Sequence, residues 1–154
     1  MYRKIVFLGF VFSTFNFVFS QDDNLSRNSV NFKKISLREY VAKLKIDSSL
    51  IDDEENHFYI LTTINKADLD WINEEDLPFL MSLIESKEPS YCVMQFISSQ
   101  LLFEKSTIGG QVMNLIDSFR FKKQYPYFLV DCSKNDERRA EEIKRWWNEK
   151  IKIK

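Results

Sequence analysis

Residues 88–105, "EPSYCVMQFISSQLLFEK", decide the fold. Read as a helix, the stretch places Pro89 in a first turn, where its missing N–H costs nothing. Cys92, Val93, Phe96, Ile97 and Leu101 then share an apolar face, and Ser98 and Ser99 are small enough for a neighbour to approach closely. Working outward, residues 73–87, "NEEDLPFLMSLIESK", open with Asn73 as a cap and three acids where the helix dipole favours negative charge. Pro78 is tolerated only near the start of that helix. Residues 106–120, "STIGGQVMNLIDSFR", carry Ile108, Val112, Leu115, Ile116 and Phe119 at helical spacing. Residues 136–152, "DERRAEEIKRWWNEKIK", put acids first and cations last, as the dipole prefers, with Ala140, Ile143 and Trp147 on one face. Ser36 and Glu39 have the spacing of a capping box ahead of a short helix bearing Leu37, Val41 and Leu44. The expected fold is therefore mainly α: a compact bundle of about four to five helices in antiparallel hairpins. Extended structure is expected only at "HFYILTTIN" (57–65) and "YFLVDC" (127–132), which are β-branched and aromatic and could pair with each other.

The N-terminus predicts export. Arg3 and Lys4 precede an apolar run from Ile5 to Phe19, which ends in a small residue, Ser20, before Gln21 and two acids. That is the three-part pattern of a secretory signal peptide cleaved between Ser20 and Gln21. The run is shorter than the roughly 20 residues a spanning helix needs. The expected organisation is a signal peptide at 1–20, a flexible polar leader at 21–34 and one helical domain at 35–154. The destination is the periplasm or the extracellular space, with no membrane anchor after cleavage.

The leader carries two cations and no acid, so the remaining chain keeps 20 of the 22 cations against all 23 acids. This mild acidity argues against nucleic acid, which attracts strongly basic faces. It also argues against electrostatic binding to anionic lipid. Cys92 and Cys132 would meet an oxidising compartment after export. They can either form one bridge or stay as two buried thiols. Two cysteines and one histidine make a poor zinc set, so no metal or other cofactor is expected.

No nucleophile, phosphate-loop or dinucleotide motif is present. The sole histidine, His57, has no serine or acid placed beside it as a triad, and reads as a loop-edge residue. "DLDWINEED" (68–76) fails as a calcium loop, because Ile72 and Asn73 stand where a ligand and a glycine are required. Its carboxylates Asp68, Asp70, Glu74, Glu75 and Asp76 remain the one dense acidic cluster on which a hydrolase could be built. "KSTIGG" (105–110) could present free N–H groups to a small anion through Ser106, Thr107, Gly109 and Gly110. Alternatively, the two glycines admit a close neighbour, which would offset about 1 kcal/mol each of lost helix propensity. Adjacent Trp146 and Trp147 point about 100° apart on a helix. One is expected in the core and the other at its rim, where an exposed indole suits a protein partner. Tyr125 and Tyr127 could join that binding face or cover both indoles.

The runs "EEDLPFLMSLIESK", "YCVMQFISS", "STIGGQVMNLIDSFR", "QYP" and "EEIKRWW" resemble small exported bacterial proteins of unassigned function, and loosely resemble HEAT-type helical hairpins. The likeness spans Asp68 to Asn148 but lacks the visible repeat of a HEAT array. It implies an interaction module with no catalytic residue to carry over. The expected function is a non-catalytic, exported protein-binding domain of the inhibitor, immunity or envelope-accessory kind. The alternatives are the carboxylate hydrolase and the anion binder.

Overall fold

The structure, a computed structural model, describes residues 29–47, 59–98 and 104–152. The expected signal peptide, His57, Ser99 and Leu101 lie outside the described residues. The chain runs β1 (Ser29–Val30), α1 (Leu37–Leu44), β2 (Ile60–Thr63), α2 (Leu77–Met81), β3 (Pro89–Ser90), β4 (Cys92–Gln95), β5 (Ser106–Thr107), α3 (Ile108–Arg120), β6 (Val130–Asp131) and α4 (Glu137–Lys152). Strands β1, β2, β4 and β6 form one sheet in that order. The first three are parallel, and β6 runs antiparallel to β4. A small antiparallel ribbon pairs β3 with β5. This is an α/β fold, and the expectation of a mainly α bundle of helical hairpins is overturned.

The error sits in residues 88–105. Cys92 to Gln95 are not a helix but a strand of the sheet, in register with Ile60 to Thr63 on one side. On the other side Val93 and Met94 pair with Asp131 and Val130. Cys92 and Val93 are both buried, so the strand shows no alternation of apolar and polar residues. A strand covered on both faces reads as a continuous apolar run, which periodicity cannot separate from a buried helix. The two stretches expected to be extended do form strands, but each pairs with β4 and not with the other.

Local signals held where the partners are near in sequence. Ser36 and Glu39 form the reciprocal capping box at α1. Asn73 caps a short 3-10 turn at Glu74–Asp76 that leads into α2, which ends at Met81, earlier than expected. The leader expected through residue 34 stops sooner: Ser29 and Val30 add a strand to the sheet, and Phe32 is buried. Phe32 packs edge-on against Trp71, 4.8 Å between centroids, and near Tyr40 and Tyr125.

Helix α3 is the hub. Every residue from Ile108 to Ser118 is buried, including Gln111, Asn114, Asp117 and Ser118. Gly109 and Gly110 make this possible. A Cβ on Gly109 would lie 2.7 Å from the carbonyl oxygens of Ile84 and Ser86, and one on Gly110 would lie 2.2 Å from that of Ser133. The close neighbours are thus two loop backbones, not the helix expected to bear Ser98 and Ser99. An exposed helical Gly→Ala change normally stabilises by about 1 kcal/mol. Here Gly110→Ala is expected to reverse sign and cost about 2 kcal/mol or more, because loop backbone must move. Urea unfolding of the two proteins checks this.

Cys92 and Cys132 are bridged. The bond joins the start of β4 to the residue after β6 and closes a loop of sequence separation 40. By chain entropy alone that is worth about 4 kcal/mol.

Candidate partner-binding groove

The anion-binding reading of 106–110 finds no free donors. Ser106 and Gly110 are buried. The N–H groups of Thr107, Ile108 and Gly109 donate to the carbonyls of Ser133, Glu88 and Ser86. That of Gly110 donates to Thr107 Oγ1, the helix cap. The helix start is closed by the protein itself.

Two of the five acids at 68–76, Glu74 and Asp76, have structural partners. Asn73 and Asp76 exchange capping hydrogen bonds, and Glu74 pairs with Lys150 at 3.2 Å. Among the described residues no group of histidines, cysteines and carboxylates is placed to hold a metal ion.

The most polar interior site was not anticipated. Asp131 Oδ2 accepts from Gln111 Nε2 at 2.9 Å and from Asn114 Nδ2 at 2.6 Å. Its Oδ1 accepts from Ser133 Oγ at 2.6 Å. Asn114 Oδ1 in turn accepts from Arg139, whose guanidinium also reaches Asp117 Oδ2 at 2.7 Å. These groups come from α3, β6 and α4, and their mutual satisfaction braces the three elements. Burial pushes the Asp131 carboxyl above its usual range, against the opposing pull of Ser133, Gln111 and Arg139. The native state therefore holds this proton to higher pH than the unfolded chain does, and its contribution to stability is lost as pH rises through the raised pKa. Asp131→Asn should remove that loss. Unfolding free energy measured from mildly acid to neutral pH is expected to fall more steeply for the wild type than for the variant.

Of the four residues expected to form a binding face, Tyr125 is not available. It is buried, and its hydroxyl shares a 2.8 Å hydrogen bond with that of Tyr40. Burial raises both phenols well above the ordinary tyrosine range, so the pair is neutral. Tyr127 is partly exposed, with Lys123 Nζ 5.3 Å from its ring centroid. Trp146 and Trp147 are both half-buried, with centroids 6.2 Å apart. Neither plugs the core, contrary to expectation, and no ring stacking joins them to Tyr125, Tyr127 or Phe128.

The two indoles instead line separate grooves on either side of Lys150. Trp147 borders the smaller one, about 400 Å³, with Pro78 and Ile151. Trp146 lines a larger one, about 580 Å³, together with Phe119. Leu69, Asp70, Ile72, Arg120 and Lys122 line it as well. Arg120 and Lys150 lie over the Trp146 ring, 5.1 and 5.7 Å from its centroid. Each such cation is attracted by the ring quadrupole, by about 0.5–1 kcal/mol at an exposed site. Arg120 is also paired with Asp117 and Glu142. Lys122 has no ion pair among the described residues and is exposed. It stands at φ 51°, the left-handed position just past the end of α3. Its N–H and that of Lys123 reach back to the carbonyls of Phe119 and Ser118, the hydrogen bonds of a Schellman ending. Glycine would take that conformation without strain, whereas a lysine there costs about 1 kcal/mol.

Compared with known protein families, with curated proteins and with solved structures, the chain shows no significant match. The fold and the groove therefore define this protein as a disulfide-bridged α/β domain, and its function has to be argued from the groove alone. No described helix is long and apolar enough to cross a membrane.

Proposed function

We propose that the chain is an exported, non-catalytic binding domain that captures another protein in the groove around Trp146. The observation that carries this reading is a half-exposed indole, with two cations over its ring, lining an open groove. Trp and Arg are the residues most enriched where binding energy concentrates. Lys122 supports it: a strained lysine is kept at the groove wall in place of a glycine that would fold more easily. Strain retained at a surface position is a pointer to function. The occupant we infer is a protein segment offering an apolar side chain to Trp146 and Leu69 and a carboxylate to Lys122. Export rests on the basic, apolar and small-residue succession of the first 20 residues, and the disulfide is compatible with it.

Lys122→Gly separates strain from binding. It is expected to raise unfolding free energy by a few tenths to about 1 kcal/mol while weakening partner binding. Trp146→Ala is expected to weaken binding by about tenfold or more. A photoreactive side chain at 122, in protein recovered from the exported fraction, should crosslink a partner that the same probe at exposed Lys43 does not. Equal labelling at both positions, or binding untouched by both substitutions, would show that the groove is not the binding site.

A further inference from the structure

A second surface stands apart from that groove, at the carboxyl ends of the parallel strands. Beyond β4 the chain makes a tight turn, with Ser98 N–H donating to Gln95 O at 2.8 Å. The two residues at its tip are Phe96 and Ile97, 66% and 79% exposed. They are the most exposed large apolar side chains among the described residues. Turn tips are ordinarily Gly, Asn, Asp, Pro or Ser, because those residues fit the backbone and keep water satisfied. Two large apolar residues there have no folding rationale, since they bury almost nothing.

The tip is not isolated. Phe96 N–H donates to Thr63 O, which brings it beside Ile64, 56% exposed, at the end of β2. Gln95 N–H donates to Leu129 O, which brings in Leu129, 49% exposed, at the start of β6. The result is an exposed apolar ridge at the ends of three strands. Four chain segments meet at this end of the sheet: 31–34, 64–67, 95–98 and 121–129. They carry the exposed Lys33, Lys34, Lys66 and Lys123 and no acid, with Asp68 and Asp70 following on the side of the Trp146 groove, to which Lys122 belongs. The chain as a whole has a net charge of −1, so four lysines in these segments are a local asymmetry that the summed charge conceals.

We propose that this end of the sheet docks onto an anionic bilayer surface. Phe96 and Ile97 enter the boundary between headgroups and acyl chains, and the lysines behind them meet the lipid phosphates. Exposure at a turn tip and the charge of its neighbours favour the bilayer over a protein partner. A protruding apolar tip with basic flanks matches a soft, flat, anionic surface, whereas a protein would have to supply a concave pocket ringed with acids. Interfacial binding of this kind scales with the apolar area inserted plus about 1 kcal/mol for each lysine near the surface. Long lysine stems can keep their charge at headgroup level while the tip goes deeper.

The test uses the full chain with phosphatidylglycerol vesicles, and phosphatidylcholine vesicles as the uncharged control. Phe96→Ser with Ile97→Ser should lower partitioning onto phosphatidylglycerol by about tenfold or more. Lys66→Glu with Lys123→Glu should do the same, and added salt should weaken the wild type. Because the N-terminal apolar run could itself bind vesicles, a second measurement reads the tip directly. In Phe96→Trp, fluorescence from position 96 should be quenched by brominated lipid beyond what Trp71, Trp146 and Trp147 show in the wild type. Unchanged partitioning of the double serine variant, or an unquenched tryptophan at 96, overturns the proposal. Capture of an acidic protein by this ridge with no response to phosphatidylglycerol overturns it equally. Neither result bears on the Trp146 groove, whose variants are separate.

Discussion

Burying α3 from Ile108 through Ser118 obliges every polar group on that helix to find its partner inside the protein. The rest of the structure follows from how this is met. Gln111 and Asn114 turn to Asp131, and Asp117 to Arg120 and Arg139. That requirement draws β6 and α4 against the helix at fixed points. The backbone of residues 133–134 crosses the helix start so closely that Gly110 admits no side chain. The helix thus organises its surroundings by demanding hydrogen bonds as much as by offering apolar surface. Gln111 Oε1 is the one buried side-chain polar atom left without a partner among the described residues.

The sheet is small, and its strands are short. Its cohesion leans on β4, which hydrogen-bonds on both sides and is linked through Cys92 to Cys132. An aromatic cluster of Phe32, Tyr40, Trp71 and Tyr125 fills the space beside α1, with the two phenols satisfying each other. Buried tyrosines need such a partner, since an unpaired hydroxyl in the interior costs about 1–3 kcal/mol.

Two exposed regions remain that folding does not explain. One is the Trp146 groove, where cations lie over an indole and Lys122 occupies a position that glycine would take more easily. The other is the Phe96–Ile97 tip with its basic surroundings. Both adjoin the turn that follows α3, through Lys122 on one side and Lys123 on the other. A domain could therefore rest on a charged surface through the ridge while the groove stays open to a partner in solution.

What the sequence determined by itself was local. The capping box at Ser36 and Glu39, the cap at Asn73 and the spans of α3 and α4 depend on residues a few positions apart, and all were legible. The pairing of Cys92 with Cys132 was legible as an option, and the need for close approach at Gly109 and Gly110 as one of two. Tertiary structure decided the remainder. Whether Cys92 to Gln95 became strand or helix depended on Ile60–Thr63 and Val130–Asp131 lying on either side, and a strand buried on both faces carries no alternation to announce it. Tyr125 was lost from the binding face because Tyr40, 85 residues away in sequence, claimed its hydroxyl. The groove took shape only when residues 69–73 came up against the end of α3 and the last turns of α4. No spacing along the chain encodes such a meeting, because it is settled by which surfaces are left over once the core has closed.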